Sequence, residues 1–262
     1  MIESVSEAQG WLLALILTLP RILAVFIVLP FLSEPVLPGM IRNGIAVVLA
    51  TFMVPVVASQ LDTVPLDAIV IIAIIGKEMI IGLLIGFLVS LVFWAIGSMG
   101  YFIDFQRGAM SASLFAPMFG EQTSPLGAFF AQMMATLLFA GGGFLLLLDA
   151  LFTSYVTWPV SSFYPNFNWA ATDFFLKQFD WLMYNIILLA GPIVMTMFLA
   201  ELGMALIGRY VPQINVFILA MPLKSAIALL MLALYTGFIV EYIQGDLHRF
   251  SEVIQSLDTL LR

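Results

Sequence analysis

The sequence predicts an all-α membrane protein with about six long apolar helices. Of the 262 residues, 63% are hydrophobic and only 10% are charged, whereas a soluble domain carries about 25% charged residues. Apolar stretches of the ~20 residues that a bilayer crossing requires recur along the chain, and polar residues, glycines and prolines separate them. We therefore expect one integral membrane domain over residues 1–262, either alone or within a membrane-embedded complex.

Short connections join the first two and the last two apolar stretches, so each of these pairs is expected to form an antiparallel helical hairpin. In the third stretch, Gly82 and Gly86 form a small-residue face that allows close helix contact. Ordinary packing is favoured over a dimerisation motif as the role of this face. The predicted spans cover residues 11–31, 40–58, 69–96, 129–151, 181–206 and 216–243.

Two local patterns refine this outline. The triplet Gly141-Gly142-Gly143 interrupts the fourth span and indicates tight packing or a bend, since glycine adopts conformations that other residues avoid. After the last span, residues 246–262 carry apolar side chains at heptad spacing with polar residues between them. That spacing predicts an amphipathic C-terminal helix that packs on a neighbour.

Charged residues inside the apolar spans are the strongest functional signal. Arg21, Lys77, Glu78, Glu201 and Lys224 all lie within them, and each costs about 2.5–3.5 kcal/mol at the centre of a membrane helix. One interpretation is an ion or proton path, and the other is a set of buried pairs that hold helices together.

The positions of Glu201 and Lys224 favour the second interpretation. The two residues lie at nearly the same sequence distance from a predicted turn near Pro212. Because both arms rise by a similar amount per residue, the two side chains reach a similar depth and can pair.

A second unusual region extends from Gly97 to Leu126, where charged residues stand among glycines, methionines and phenylalanines. Charges and flexible backbone at membrane depth require surrounding protein or trapped water. This region is therefore a candidate gate or contact site. Asp104 and Arg107 share a helix face and can pair with each other or bind a neighbouring subunit. If they pair, exchanging their charges is expected to restore assembly better than either single reversal. Gln106 points elsewhere and is available for the backbone of the following loop.

Several classes of protein are excluded. The chain has no cysteine and one histidine, so disulfides, thiolate metal sites and histidine clusters are ruled out. A net charge of −7 gives no basis for binding nucleic acid. The sequence contains no phosphate-binding Gly-x-x-x-x-Gly-Lys, no His-Glu-x-x-His and no Gly-x-Ser-x-Gly motif. We expect a protein without catalytic activity, cofactor or metal.

The order of the motifs resembles the FliR/SctT family, the export-gate component of bacterial type III secretion systems, over nearly the whole chain. The Met221-Pro222-Leu223-Lys224-Ser225 stretch resembles the injectisome branch more than the flagellar branch. The segments that carry the resemblance are Pro20-Arg21, Leu29 to Ser33, Arg42-Asn43-Gly44, Gly76-Lys77-Glu78 with 81–87, Gly100 to Gly108, Ser124-Pro125, and Glu201 to Lys224 with Pro212-Gln213-Ile214-Asn215-Val216-Phe217.

The resemblance implies a non-enzymatic subunit of an export gate in the bacterial inner membrane, with unfolded secreted polypeptides as substrate. Members of this family assemble with FliP/SctR-like and FliQ/SctS-like subunits, followed by the FlhB/SctU-like switch protein. Their helical hairpins form a closed complex that contains a pore. Much of that complex is lifted out of the bilayer plane, so protein rather than lipid surrounds the charged residues inside the apolar spans. The alternative is a self-contained ion or small-solute transporter that uses Lys77, Glu78, Glu201 and Lys224 as its coupling site.

The resemblance also assigns roles to particular residues. A loop at about 108–124 corresponds to the family's plug, and its methionines can seal around a chain without fixed geometry. The candidate plug residues are Gly108, Met110, Leu114, Phe115, Met118 and Phe119. The candidate polar contacts between helices or subunits are Arg21, Lys77, Glu78, Asp104, Gln106, Arg107, Glu201 and Lys224.

Overall fold

The computed structural model describes residues 2–33, 36–61, 67–109, 124–162, 169–213 and 215–261. Within these ranges the chain forms seven α-helices and no strand, which confirms the all-α class. A short 3-10 helix, Pro30–Leu32, follows the first α-helix. The α-helices are α1 (Ile2–Val28), α2 (Gly39–Leu61), α3 (Ala68–Arg107), α4 (Pro125–Ala140), α5 (Gly143–Thr157), α6 (Trp169–Tyr210) and α7 (Val216–Leu261).

Five helices, α1, α2, α3, α6 and α7, are long and apolar enough to cross a membrane. The fourth predicted span is not one straight helix, because α4 and α5 meet at an angle of 74°. Gly142 lies at this break with φ +74°, a left-handed conformation that favours glycine. Counting the bent pair as one span gives the six that the sequence predicts.

Helix α3 is longer than the predicted third span, because it continues through residues 97–107. Gly108 ends it with φ +80°. The Gly108 N–H donates to the Phe105 carbonyl at 3.1 Å, and the Ala109 N–H donates to the Asp104 carbonyl at 3.1 Å. This pair of hydrogen bonds is a Schellman motif, which satisfies the last carbonyls of the helix.

The predicted small-residue face of α3 packs within the chain, against α1. A Cβ atom on Gly82 would lie 2.3 Å from the Arg21 carbonyl oxygen, so only glycine fits there. One turn further, a Cβ on Gly86 would lie 3.1 Å from the Val25 backbone. The next residue on this face, Ser90, donates a hydrogen bond to the α1 backbone at 3.0 Å. The close crossing of α1 and α3 therefore follows from small residues at four-residue spacing.

By its internal contacts the chain divides into two compact units that are interleaved in sequence. The first comprises Met1–Leu91, Leu138–Leu176 and His248–Arg262, and the second comprises Val92–Leu137 and Lys177–Leu247. In the first unit α1 packs on α2, as the predicted hairpin requires. The prediction of one domain over residues 1–262 stays a prediction.

Helix α7 runs without a break from Val216 to Leu261, so the predicted C-terminal helix continues the last span. The side chains of residues 246–261 lie outside the described part of the structure, and the packing of their apolar stripe stays a prediction. The described surface is largely apolar, with Met40 87% and Ile69 82% exposed, whereas Arg21 and Asp104 are fully buried. This inverted distribution suits an apolar surrounding rather than water.

Candidate functional site

A buried cluster around Arg21 joins three helices of the first unit. The Arg21 guanidinium is fully buried, and its Nε donates to Glu78 Oε2 at 2.6 Å. Its Nη1 donates to Ser154 Oγ at 2.9 Å, and its Nη2 donates to the Trp158 carbonyl at 2.9 Å. The Tyr155 ring lies 4.1 Å from the guanidinium carbon, a cation–π contact. All three nitrogens of Arg21 are therefore engaged.

Lys77, the neighbour of Glu78 on α3, extends the cluster. Its Nζ donates to the carbonyls of Pro159 and Val160 at 3.0 Å each, and to that of Ser162 at 2.9 Å. The same ammonium lies 3.0 Å from Glu78 Oε1. Lys77 thus binds the chain just after α5 and shares the Glu78 carboxylate with Arg21.

This cluster holds two cations and one carboxylate, so it carries a surplus positive charge. Carbonyl oxygens at and beyond the C-terminal end of α5 surround that charge. The last carbonyls of a helix have no partner within the helix, and the C-terminal end carries a partial negative charge. The end of α5 therefore supplies the negative potential that a second carboxylate would otherwise provide, and it is held in place against α1 and α3.

Further hydrogen bonds support the cluster from α1 and α2. The Tyr155 hydroxyl donates to the Thr18 carbonyl at 2.7 Å. Gln60 bridges two positions near the end of α5, donating to the Tyr155 carbonyl at 3.3 Å and accepting from the Val160 N–H at 2.9 Å. Sequence analysis missed Gln60, Ser154 and Tyr155, because each is an ordinary residue whose role depends on the bend between α4 and α5.

A second buried centre lies around Asp104 in the second unit. Its fully buried carboxylate accepts from Arg107 Nε at 2.6 Å through Oδ1. Through Oδ2 it accepts from Ser124 Oγ at 2.6 Å and from the Leu126 N–H at 2.8 Å. Ser124 Oγ in turn accepts from the Gly127 N–H at 2.9 Å, the usual geometry of an N-cap. Asp104 and Ser124 together therefore cap the start of α4.

The remaining residues of this region are only partly described. Gln106 is half-buried on the last turn of α3. A Cβ on Gly108 would lie 3.4 Å from the Met221 side chain, so the end of α3 contacts α7 there. The other candidate plug residues, Met110, Leu114, Phe115, Met118 and Phe119, lie outside the described residues.

The third polar region connects α6 and α7. Lys224 Nζ lies 3.2 Å from Glu201 Oε2; the lysine side chain is 9% exposed and the glutamate side chain 42%. Farther from the turn, the Tyr242 hydroxyl donates to Asn185 Oδ1, and Asn185 Nδ2 donates to the Trp181 carbonyl at 2.7 Å. Glu201 pairs with Lys224, whereas Asn185, earlier on α6, pairs with Tyr242, later on α7. The two helices are therefore antiparallel. These two polar contacts fix their register.

These features define a helical membrane protein whose buried charged side chains, in the described residues of the three centres, pair with other groups of the same chain. Among the described residues no group of three or more His, Cys, Asp or Glu side chains could hold a metal ion. The three polar centres join helices to each other. The contacts that do so are ion pairs, hydrogen bonds with hydroxyl groups and hydrogen bonds with backbone groups at the ends of helices.

Comparison with known proteins identifies the class further. The family described as bacterial export proteins, family 1, matches residues 12–250. The Yop proteins translocation protein T of Yersinia pestis is 49% identical over 87% of both chains. The surface presentation of antigens protein SpaR of Salmonella typhimurium is 32% identical over 82% of this chain and 80% of its own. The flagellar biosynthetic protein FliR of Bacillus subtilis is 29% identical over 95% of this chain and 94% of its own.

The chain therefore belongs to bacterial export protein family 1, the FliR/SctT family of type III secretion. The higher identity to the Yersinia protein than to the flagellar relative favours the injectisome branch. Members of the family are structural components of the secretion apparatus and not enzymes. The transporter alternative has no support among these relatives.

Proposed function

We propose that this protein forms and closes part of the pore through which unfolded polypeptides cross the bacterial inner membrane. Its partners in this role are FliP/SctR-like, FliQ/SctS-like and FlhB/SctU-like subunits. Family membership supports the role in export. The apolar exterior also supports it, because side chains such as Met40 and Ile69 are suited to contact with helical partners or lipid.

The observation that carries the closing role is the anchoring of the 108–124 loop. Gly108 ends α3 beside Met221, and Ser124 begins α4 while bound to the buried Asp104. The loop therefore starts and finishes on a fixed base, and its sequence is rich in large apolar side chains. Such side chains close a narrow pore by excluding water. We assign closure to Met110, Leu114, Phe115, Met118 and Phe119, with Gly108 at the base.

The buried polar centres have a supporting role in this proposal. Arg21, Lys77 and Glu78 hold the helices of the first unit, and Asp104 with Arg107 holds the base of the loop. Of the remaining polar candidates, Glu201 and Gln106 are partly exposed and are assigned to contacts with neighbouring subunits, whereas the buried Lys224 holds Glu201. Glu201 is the best placed, because a large part of its carboxylate stays exposed beside Lys224. Half-buried Gln106 is assigned a similar contact near the loop.

Conductance of the assembled complex tests the closing role. Phe115→Ala and Met118→Ala should leave assembly intact and raise the conductance of membranes that carry matched amounts of complex, because a dewetted constriction opens when its bulk is removed. Phe52→Ala and Met40→Ala, which shorten exposed side chains on α2, are matched controls that should not leak. Wild-type conductance for both loop variants would contradict the proposal. If the loop variants instead lower the amount of assembled complex without a leak, these side chains serve in packing. Truncating a packed core residue costs ~2–5 kcal/mol of stability.

Copurification tests the proposed partners. Co-expression with the neighbouring secretion genes should yield a single complex that contains this chain and other small helical membrane proteins, measured by gel filtration and mass analysis. A chain that purifies alone and transports an ion or a small solute would support the transporter alternative.

A further inference from the structure

One carboxylate binds groups on both sides of the 108–124 segment: Arg107 before it, and Ser124 and Leu126 where it ends. Asp104 lies in the last turn of α3, and Oδ1 accepts from Arg107 on the same turn at 2.6 Å. Its Oδ2 accepts from Ser124 and Leu126, the first residues on the far side of the segment, at 2.6 and 2.8 Å. The end of one helix and the start of the next therefore share a single fully buried side chain.

Asp104 also completes the cap of α4. Pro125 at the first position has no N–H, and the Ser124 hydroxyl accepts only the N–H of Gly127. The Leu126 N–H is bound by Asp104, which places a negative charge at the positive N-terminal end of α4. Helix α4 thus takes part of its N-terminal cap from α3, and the loss of Asp104 would leave a backbone donor and a hydroxyl unsatisfied.

The two backbones also touch at this point. A Cβ on Gly100 would lie 2.7 Å from the backbone of Leu126 and Gly127, and a Cβ on Gly127 would lie 3.2 Å from the Gly97 carbonyl. Glycines on both helices therefore allow direct backbone contact, one turn of α3 before Asp104. This crossing leaves little room for the helix ends to separate while the carboxylate holds them.

From this geometry we propose that Asp104 is a positioning residue that clamps the two ends of the 108–124 segment together. The clamp holds the end of α3 against the start of α4. The functional consequence rests on the proposed closing role of this segment, whereas the clamp itself depends only on contacts among residues on either side.

A distance measurement in the assembled complex tests the clamp. The chain has no cysteine, so Phe105→Cys and Phe129→Cys, both at exposed positions on either side of the clamp, can carry spin labels without background labelling. We expect one narrow distance peak in the otherwise unchanged chain. Asp104→Ala should lose this peak, whereas Asp149→Ala, at an exposed aspartate on α5, should keep it.

Substitutions that remove parts of the clamp distinguish it from simple loss of folding. Asp104→Asn keeps an oxygen for Ser124 and Leu126 and gives up only the Arg107 contact, so it should retain the narrow peak. Ser124→Ala, which removes one of the three hydrogen bonds to Asp104 and the cap of Gly127, should broaden it. If Asp104→Ala does not assemble, Ser124→Ala decides. An unchanged peak in Asp104→Ala, or in Ser124→Ala where Asp104→Ala does not assemble, would overturn the clamp.

Exchange of the charges gives a second test. Asp104→Arg with Arg107→Asp should not restore the peak, because Ser124 and Leu126 both donate and an arginine cannot accept from them. The simple ion pair that the sequence predicts would be restored by the exchange, so a recovered peak would overturn the clamp. A broadened peak in Asp104→Ala with wild-type conductance would leave the clamp standing and instead contradict the closing role of the segment.

Discussion

Replacing Glu78 is the most demanding test of the buried cluster, because this carboxylate is shared by two cations. Glu78→Gln keeps the size of the side chain but leaves Arg21 and Lys77 with no negative side chain in the described cluster. Removing one partner of a buried ion pair costs about 3–5 kcal/mol. We expect the upper part of that range for Glu78→Gln, because it leaves two buried cations instead of one.

Lys77→Met should be milder. It leaves Arg21 and Glu78 as a neutral pair, and it removes the Lys77 contact with Glu78 Oε1 and the hydrogen bonds to three carbonyls. Unsatisfied buried acceptors cost about 1–3 kcal/mol, and the Ser162 carbonyl is exposed and can bind water. The two variants should therefore differ by about 2 kcal/mol, roughly a 30-fold difference in the folded-to-unfolded ratio.

The assay is the free energy of unfolding of the purified complex in detergent, measured with denaturant for each variant. Glu241→Gln, at an exposed glutamate on α7, is the matched control and should lie within about 0.5 kcal/mol of the unchanged protein. A Glu78→Gln value as small as that of the control would refute the idea of a buried charge centre. A larger loss of unfolding free energy for Lys77→Met than for Glu78→Gln would refute the assignment of two cations and one carboxylate to this cluster.

Two further predictions use the same assay. In the chain purified without partner subunits, Glu201→Gln should destabilise more than Lys224→Met, because it leaves a buried ammonium, whereas Lys224→Met leaves a carboxylate that is 42% exposed and can be solvated; the reverse order there would contradict this difference in burial. Gly82→Ala should prevent normal packing of α3 on α1, since its Cβ would lie 2.3 Å from a carbonyl oxygen, whereas Gly76→Ala meets no described atom within 4 Å; equal stability of these two variants would contradict the close crossing.

The all-α class and the α6–α7 hairpin could be predicted from sequence because both depend on local patterns. Apolar length specifies the helices, and the similar distances of Glu201 and Lys224 from the turn place them together once the hairpin forms. Glu78, Gly82 and Gly86 follow each other at four-residue spacing on α3. This spacing indicates that one face of α3 is closely packed. Because Glu78 lies on the same face as the two glycines, this spacing also indicates that its carboxylate takes part in a helix–helix contact.

The partners of Arg21 could not all be predicted, because one of them is a backbone carbonyl. A carbonyl oxygen is present at every residue, so the sequence carries no signal for the one at Trp158 that accepts from Arg21. Its position depends on the 74° bend between α4 and α5, and the glycine triplet indicates a bend without its direction. The role of Asp104 could be predicted only in part. Ser124-Pro125 indicates where a helix starts, but it does not indicate which carboxylate binds that helix start.

The two buried centres follow one electrostatic rule with opposite signs. The cluster with surplus positive charge, around Arg21 and Lys77, lies at the C-terminal end of α5, where free carbonyls accept hydrogen bonds. The negative charge of Asp104 lies at the N-terminal end of α4, where a free N–H donates one. A chain with an apolar exterior has no solvent to stabilise such charges, so the ends of broken helices take that role. Both ends belong to the bent pair that the sequence predicts as one span: α4 begins at the carboxylate of Asp104, and α5 ends at the cations of Arg21 and Lys77.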